Sequence, residues 1–309
     1  MSWKISLFIA ILSLCACEQR KAATSHTSVS SPYLITAEEL QEAYQNETIK
    51  LIDFRTKENY SNGHLPGALH LSRADIEDST YAYTGMMASL SQIERLFSYL
   101  GIKTKDTIVI YDDVGLCNAS RLWWILQNYN YKNLKMLHGG ISAWESVGGK
   151  LSIEIPASEK SDFKLGKPLM QFYVSKEDVL KALSDKTIVL DTRTIDEYVA
   201  KKQKKGATKA GRIPKSIHID WAEAINYTSD KCFKSKEDLE AIYGRMGADK
   251  KDPIIVYCHS GVRSAHTTFV LTQLLGYENV KNYDGSWTEW SYLDGLPFET
   301  DSITTTNNL

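Results

Sequence analysis

Ile254-Ile255-Val256-Tyr257-Cys258-His259-Ser260-Gly261-Val262-Arg263-Ser264 reads as a buried strand that empties through a tight loop straight into a helix. Four consecutive apolar residues between Pro253 and the loop suit a strand covered on both faces in a parallel sheet. Downstream, Val262, Ala265, Phe269, Leu271, Leu274 and Leu275 recur at helical spacing, and Gly276 offers a stop, so the spacing predicts a helix from Val262 to about Tyr277. Cys258 therefore stands where backbone N–H groups of a loop and a helix's first turn converge. That setting favours a thiolate over a thiol. An isolated Cys at a strand end is more often a small buried hydrophobe, but here Gly261 permits close backbone approach, Arg263 adds a cation and Ser264 can cap the helix.

The run Cys258-x-x-Gly261-x-Arg263-Ser264 after such a strand resembles the active-site loop of the rhodanese (sulfurtransferase) family. The cell-cycle phosphatases that share the fold carry one more residue between Cys and Arg, and the shorter loop here fits a single sulfur atom better than a phosphoryl group. The resemblance implies a sulfur donor such as thiosulfate, a persulfide on Cys258 and a thiophilic acceptor, either cyanide or a thiol, with a thiol-redox protein as a further acceptor. It implies no metal and no organic cofactor.

Outward from the loop, the chain says the same thing twice. Ile35-Thr36-Ala37-Glu38-Glu39-Leu40 answers to Val174-Ser175-Lys176-Glu177-Asp178-Val179, each a helix start with a hydroxyl cap and an acid three residues on. Leu51-Ile52-Asp53-Phe54-Arg55 matches Val189-Leu190-Asp191-Thr192-Arg193, and Gly63-His64-Leu65-Pro66 matches Gly211-Arg212-Ile213-Pro214. Tyr111 pairs with Tyr257 and Trp144 with Trp290 at one offset, since 257 − 111 and 290 − 144 are both 146. Each half is expected to be an α/β domain with a parallel sheet flanked by helices. The expected division is a signal over 1–17, a tether over 18–31, an inactive rhodanese-like domain over 32–154, a linker over 155–170, a catalytic rhodanese domain over 171–300 and a tail over 301–309. The offset puts Asp112 opposite Cys258 and Cys117 opposite Arg263. A carboxylate does not attack sulfur usefully, so the first copy reads as the inactive partner and Cys117 as a buried residue.

Several residues have two readings. Backbone N–H groups from His259 to Ser264, Val262 included, are expected to hold the persulfide's charge, with the His259 and Ser260 side chains lining the mouth. Arg263 either holds donor charge or pairs with a buried acid, Asp191 or Glu197, and still lowers the thiolate pKa from behind the loop. Arg193 is an anion binder or an internal ion pair with Asp191. His64 resembles residues from which family members reach into the cleft, or is a turn histidine. In the mercaptopyruvate-using branch, an Arg four residues past the Asp-x-Arg arginine binds the substrate carboxylate; that place is Glu197 here, so the resemblance favours thiosulfate, with 3-mercaptopyruvate as the alternative donor. Lys201, Lys202, Lys204 and Lys205 fall in an insertion, because Asp53 to Gly63 spans 10 positions and Asp191 to Gly211 spans 20. Such a run is a solvated loop or a lure for anionic donors.

Lys and Arg number 36 against 38 acids in 309 residues, a balance without the basic excess of a nucleic-acid binder. At the N-terminus, Lys4 precedes an apolar run, Ile5 to Leu14, too short to span a bilayer and shaped like a secretory signal. Leu14-Cys15-Ala16-Cys17 resembles a bacterial lipobox ending at Cys17, with Cys15 the less suitable acceptor. A plainly cleaved signal is the alternative. Glu18 rather than Asp follows, so the implied address is the outer membrane, facing the periplasm. Cys117, Cys232 and Cys258 then remain, which form no disulfide framework or zinc-ligand pattern. Three other classes share or approach the same loop: a persulfide-relay protein with little small-molecule turnover, a phosphatase or arsenate reductase, and a non-catalytic binding protein.

Overall fold

A computed structural model describes residues 29–44 and 48–300. The expected signal, the lipidation at Cys17, nearly all of the tether and the C-terminal tail lie outside the described residues. Among the described residues no helix is long and apolar enough to cross a membrane.

The first half forms β1 (Leu34–Ile35), β2 (Ile49–Asp53), β3 (Leu69–His70), β4 (Thr107–Tyr111) and β5 (Leu134–Leu137); the second forms β6 (Tyr173–Val174), β7 (Ile188–Asp191), β8 (Ile217–His218), β9 (Ile254–Tyr257) and β10 (Val280–Tyr283). Each set is one five-stranded parallel sheet, in the orders β1-β5-β4-β2-β3 and β6-β10-β9-β7-β8. The second order is the first with five added to every label, so the sequence repeat is a repeat of topology. In the central strands Ile108, Val109, Ile110 and Tyr111, and again Ile254 to Tyr257, are all buried, as a strand covered by helices on both faces requires.

One continuous apolar core joins the halves. Its centre is the contact between helix Cys117–Asn128 and helix Val262–Phe269, where Trp123 meets Phe269 edge to face at 4.9 Å and Phe233 stacks on Phe269 at 5.7 Å. Burying a ring such as Phe269 is worth about 1.5–3 kcal/mol. Polar clamping reinforces it: Arg121 of the first half, almost fully buried, bonds Asp284 Oδ1 of the second at 2.5 Å, the Gly85 carbonyl at 2.7 Å and the Gly261 carbonyl at 3.3 Å. Between the halves, residues 153–170 contain no helix or strand, yet Phe163 is buried against Phe97 at 5.0 Å.

The helix after the loop is shorter than its spacing predicts. It is α-helical over Val262–Phe269 and continues as a π turn over Val270–Leu274 before Gly276, at φ +71°, ends it. Thr268 and Thr272 each donate a hydroxyl to the carbonyl four residues back, a bond that competes with the ladder and loosens a helix.

Candidate active site

The loop after β9 closes because each of its special positions has a physical role. Gly261 is left-handed at φ +73°, and a Cβ there would lie 2.6 Å from the Asp284 carbonyl oxygen and 2.7 Å from Arg121 Nη1. Only glycine lets the cross-domain arginine approach so closely. From the far side, Ser286 Oγ accepts N–H bonds from Cys258 and Gly261, both at 3.1 Å, and donates to the Tyr283 carbonyl at 2.7 Å. Ser286 holds φ +49°, a left-handed backbone that is uncommon outside glycine; its counterpart in the first repeat is Gly140 (286 − 146). Gly261 N–H is thus committed to Ser286, which corrects the expectation that every N–H from His259 to Ser264 faces the sulfur.

The first repeat displays what the cradle does. Asp112, fully buried in the place of Cys258, accepts from Val114 N at 3.0 Å and Leu116 N at 2.9 Å on Oδ1, and from Asn118 N at 2.9 Å and Ala119 N at 3.1 Å on Oδ2. Adding the offset of 146 maps the first three donors onto Ser260, Val262 and Ser264. The fold therefore builds the same main-chain cradle twice; in the first copy the Asp112 carboxyl fills it, burial pushing its pKa above the ordinary value while its four N–H bonds favour the charge.

Burial alone pushes the Cys258 thiol up, but the Arg263 guanidinium, the Ser264 hydroxyl and the N–H groups of Ser264 and Ser260 overcome it and leave the pKa below the ordinary value. Ser264 Oγ is buried and makes no hydrogen bond among the described residues, so its hydroxyl is uncommitted beside the thiol whose pKa it helps to lower. Burial, Asp112 and Cys258 push Cys117 up; burial and Asp230 push Cys232 up to about 12. Among the described cysteines Cys258 alone is held towards the thiolate, and all three are free.

The acids behind the loop fix where the basic side chains point. Arg263 forms a two-pronged ion pair with Glu197, Nη1 to Oε2 at 2.7 Å and Nη2 to Oε1 at 2.9 Å. Burial opposes the Glu197 charge, but Arg263, Arg193 and Thr194 hold its carboxyl at about 2. Glu197 is buried behind the loop and does not face a donor. Arg193 donates to Asp191 at 2.6–3.0 Å and to the Gly211 carbonyl at 2.8 Å, and it is 1% exposed, so it is an internal pair and not an anion binder. Arg55 and Asp53 repeat the arrangement in the first half. His64 is likewise corrected: it is fully buried, its ring nitrogens meet the Tyr60 and Glu154 carbonyls at 2.8 and 3.0 Å, and it stacks on Tyr60 at 3.8 Å. Among the described residues neither Arg193 nor His64 has a side-chain hydrogen bond to the loop.

Lining the mouth are His259 and Ser260, both buried save for a few per cent. His259 Nε2 meets the Lys205 carbonyl at 3.0 Å, so the lysine-bearing insertion is strapped across the loop, and burial with the nearby Lys204 charge lowers the imidazole to about 4. Two partners carried no sequence signal: Arg121, and Arg73 of the first half, whose Nη2 lies 3.2 Å from Ser260 Oγ.

A thiolate held by main-chain donors at a strand-to-helix turn between twin parallel α/β units defines a class of cysteine-nucleophile proteins. The rhodanese-like domain pattern matches residues 36–147 and 175–292, and the chain belongs to that family. It is 36% identical over 247 residues to a protein of Saccharopolyspora erythraea provisionally named a thiosulfate sulfurtransferase, covering 78% of this chain and 86% of that one. It is 34% identical over 249 residues to the sulfur carrier protein TtuD of Thermus thermophilus, covering 77% and 86%. The crystal structure of the 3-mercaptopyruvate sulfotransferase SseA from Escherichia coli superposes with a TM-score of 0.73 at 26% identity, over 82% of this chain and 98% of that one.

Proposed function

We propose that the chain is a sulfurtransferase that moves a sulfane sulfur from thiosulfate through a Cys258 persulfide to cyanide or a thiol. The Cys258 thiolate attacks the outer sulfur of thiosulfate; the new S–S bond forms as the S–SO3 bond breaks, and sulfite leaves with the electron pair. The persulfide keeps one negative charge inside the N–H cradle. Cyanide or a thiolate then attacks the outer sulfur, giving thiocyanate or a new persulfide and restoring the Cys258 thiolate. The observation that carries this reading is the cradle itself, whose twin is filled by the Asp112 carboxyl and whose own occupant is the one cysteine among the described residues with a lowered pKa. The name of the Saccharopolyspora erythraea relative agrees with it. Turnover of thiosulfate with cyanide, read as thiocyanate, beside turnover of 3-mercaptopyruvate, tests it: the expected order is thiosulfate first.

The second reading, a persulfide carrier with little small-molecule turnover, is favoured by the similarity to a sulfur carrier protein. It predicts stable sulfur loading on Cys258 with slow release to cyanide and fast release to a thiol-redox protein. The lipobox-like Leu14-Cys15-Ala16-Cys17 supports export and a lipid anchor at Cys17 in the outer membrane facing the periplasm. Lipid labelling that persists in Cys17→Ala would move the acceptor to Cys15 or end that idea.

A further inference from the structure

Thiosulfate brings more charge than the cradle takes in. Once its outer sulfur is beside Cys258, the sulfonate remains at the mouth, and sulfite must form there carrying the departing electron pair. The guanidiniums behind the loop are committed: Arg263 to both oxygens of Glu197, and Arg121 to Asp284, Gly85 and Gly261. His259 is neutral near pH 7 and leans on the Lys205 carbonyl.

Arg73 differs. It opens the short 3-10 helix Arg73–Ile76 of the first half and reaches across to the second-half loop. Its hydrogen bonds among the described residues are both made by Nη2, to Glu77 Oε1 at 2.6 Å and Ser260 Oγ at 3.2 Å. Nε and Nη1 keep their donors, and the side chain is 38% exposed, so solvent and solutes reach it. Ser260 lies two residues past Cys258 and its N–H helps to lower the thiol pKa. One side chain therefore separates the guanidinium from the sulfur's own ligands. The Arg73 charge also acts on Lys204, together with Arg263 and Cys258, so these groups share one small space. Gly85, at φ +104°, brings the first half's backbone against Ser260 as well.

We propose that Arg73, contributed by the half that has lost its own nucleophile, binds the anionic end of the sulfur donor at the mouth of the Cys258 loop. The inference rests on the sulfur-donor reading above for its ligand, though not for its site. A planar fork with free N–H donors suits a sulfonate or a carboxylate better than a lysine does. The degenerate half is thereby part of the substrate site.

The test compares Arg73→Gln and Arg73→Lys with the natural protein by two readouts. Arg73→Gln is expected to raise KM for thiosulfate about tenfold with kcat changed less than about twofold, the loss of one charged contact at a partly exposed site. Arg73→Lys recovers part of it. Independently of turnover, Cys258 alkylation by iodoacetate and by neutral iodoacetamide reports the charge at the mouth: the iodoacetate-to-iodoacetamide rate ratio falls several-fold in Arg73→Gln. Melting changes little, because the Arg73–Glu77 pair is partly exposed and such pairs are worth little. An unchanged ratio with unchanged KM overturns the proposal, and so does an equal slowing by both reagents, which makes Arg73 a support for Ser260 only. If thiosulfate is not turned over at all but the ratio still falls, the anion site stands and it is the donor reading that fails.

Discussion

Replacing Glu197 by Gln removes one charge and little shape. The carboxylate is buried and meets the Arg263 fork at 2.7 and 2.9 Å, so the variant leaves a cation without its counter-charge and turns one acceptor into a donor facing a donor. Removing one member of a buried pair costs roughly 3–5 kcal/mol. A carboxyl lowered from 4.5 to about 2 corresponds to about 3 kcal/mol by linkage. Arg263 keeps some solvent contact and the amide oxygen keeps one bond, so the expected loss is about 2–4 kcal/mol, or roughly 5–12 °C in Tm. The sign with pH follows from a depressed carboxyl. The contribution is complete above pH 4.5 and disappears as pH falls towards 2, so urea-unfolding curves of the two proteins should differ fully at pH 7 and converge in acid. Freed from Glu197, Arg263 holds the Cys258 thiolate more strongly, and the pH midpoint of iodoacetamide alkylation should move down. Equal stability at pH 7, or a gap that widens in acid, would refute the reasoning. Glu197→Arg should be worse still and impair every donor alike, because two guanidiniums would face each other.

Cys258→Ser should abolish sulfur transfer, while Cys117→Ser and Cys232→Ser retain most of it, since burial holds both thiols protonated; thiocyanate release measures all three. The pH dependence of Cys258 alkylation in the natural protein should show a midpoint below 9, reactivity being present above it and lost as pH falls through it. Arg121→Ala, which strands Asp284 in a pair exposed by only 1–2%, should cost about 3–5 kcal/mol and lower Tm by about 10 °C.

The repeat is legible because a buried parallel strand and a glycine turn demand residue types that survive duplication, and the shared offset alone aligns Asp112 with Cys258. The sequence marks Asp112 as a residue that does not attack sulfur usefully; that its carboxyl occupies the cradle shows only in its four N–H bonds. Arg73 and Arg121 were not legible, because their partners Ser260 and Asp284 lie 187 and 163 residues away, and neither arginine belongs to a repeated motif. Ser286 left a faint signal, since the first repeat has Gly140 where this serine must turn left-handed. Sequence marks Arg193 as a cation and His64 as an imidazole without saying which way either side chain points. Asp191, Gly211, Tyr60 and Glu154 decide that, and each takes the side chain inward.

The central claim is that Cys258 accepts a sulfur atom and that the cradle holds it there. Intact-protein and peptide mass spectrometry after brief exposure to thiosulfate, then to cyanide, tests it most directly. One added sulfur on the peptide that contains Cys258, removed by cyanide and absent from Cys258→Ser, is the predicted result; added sulfur on Cys117 or Cys232, or none on any peptide, would contradict it.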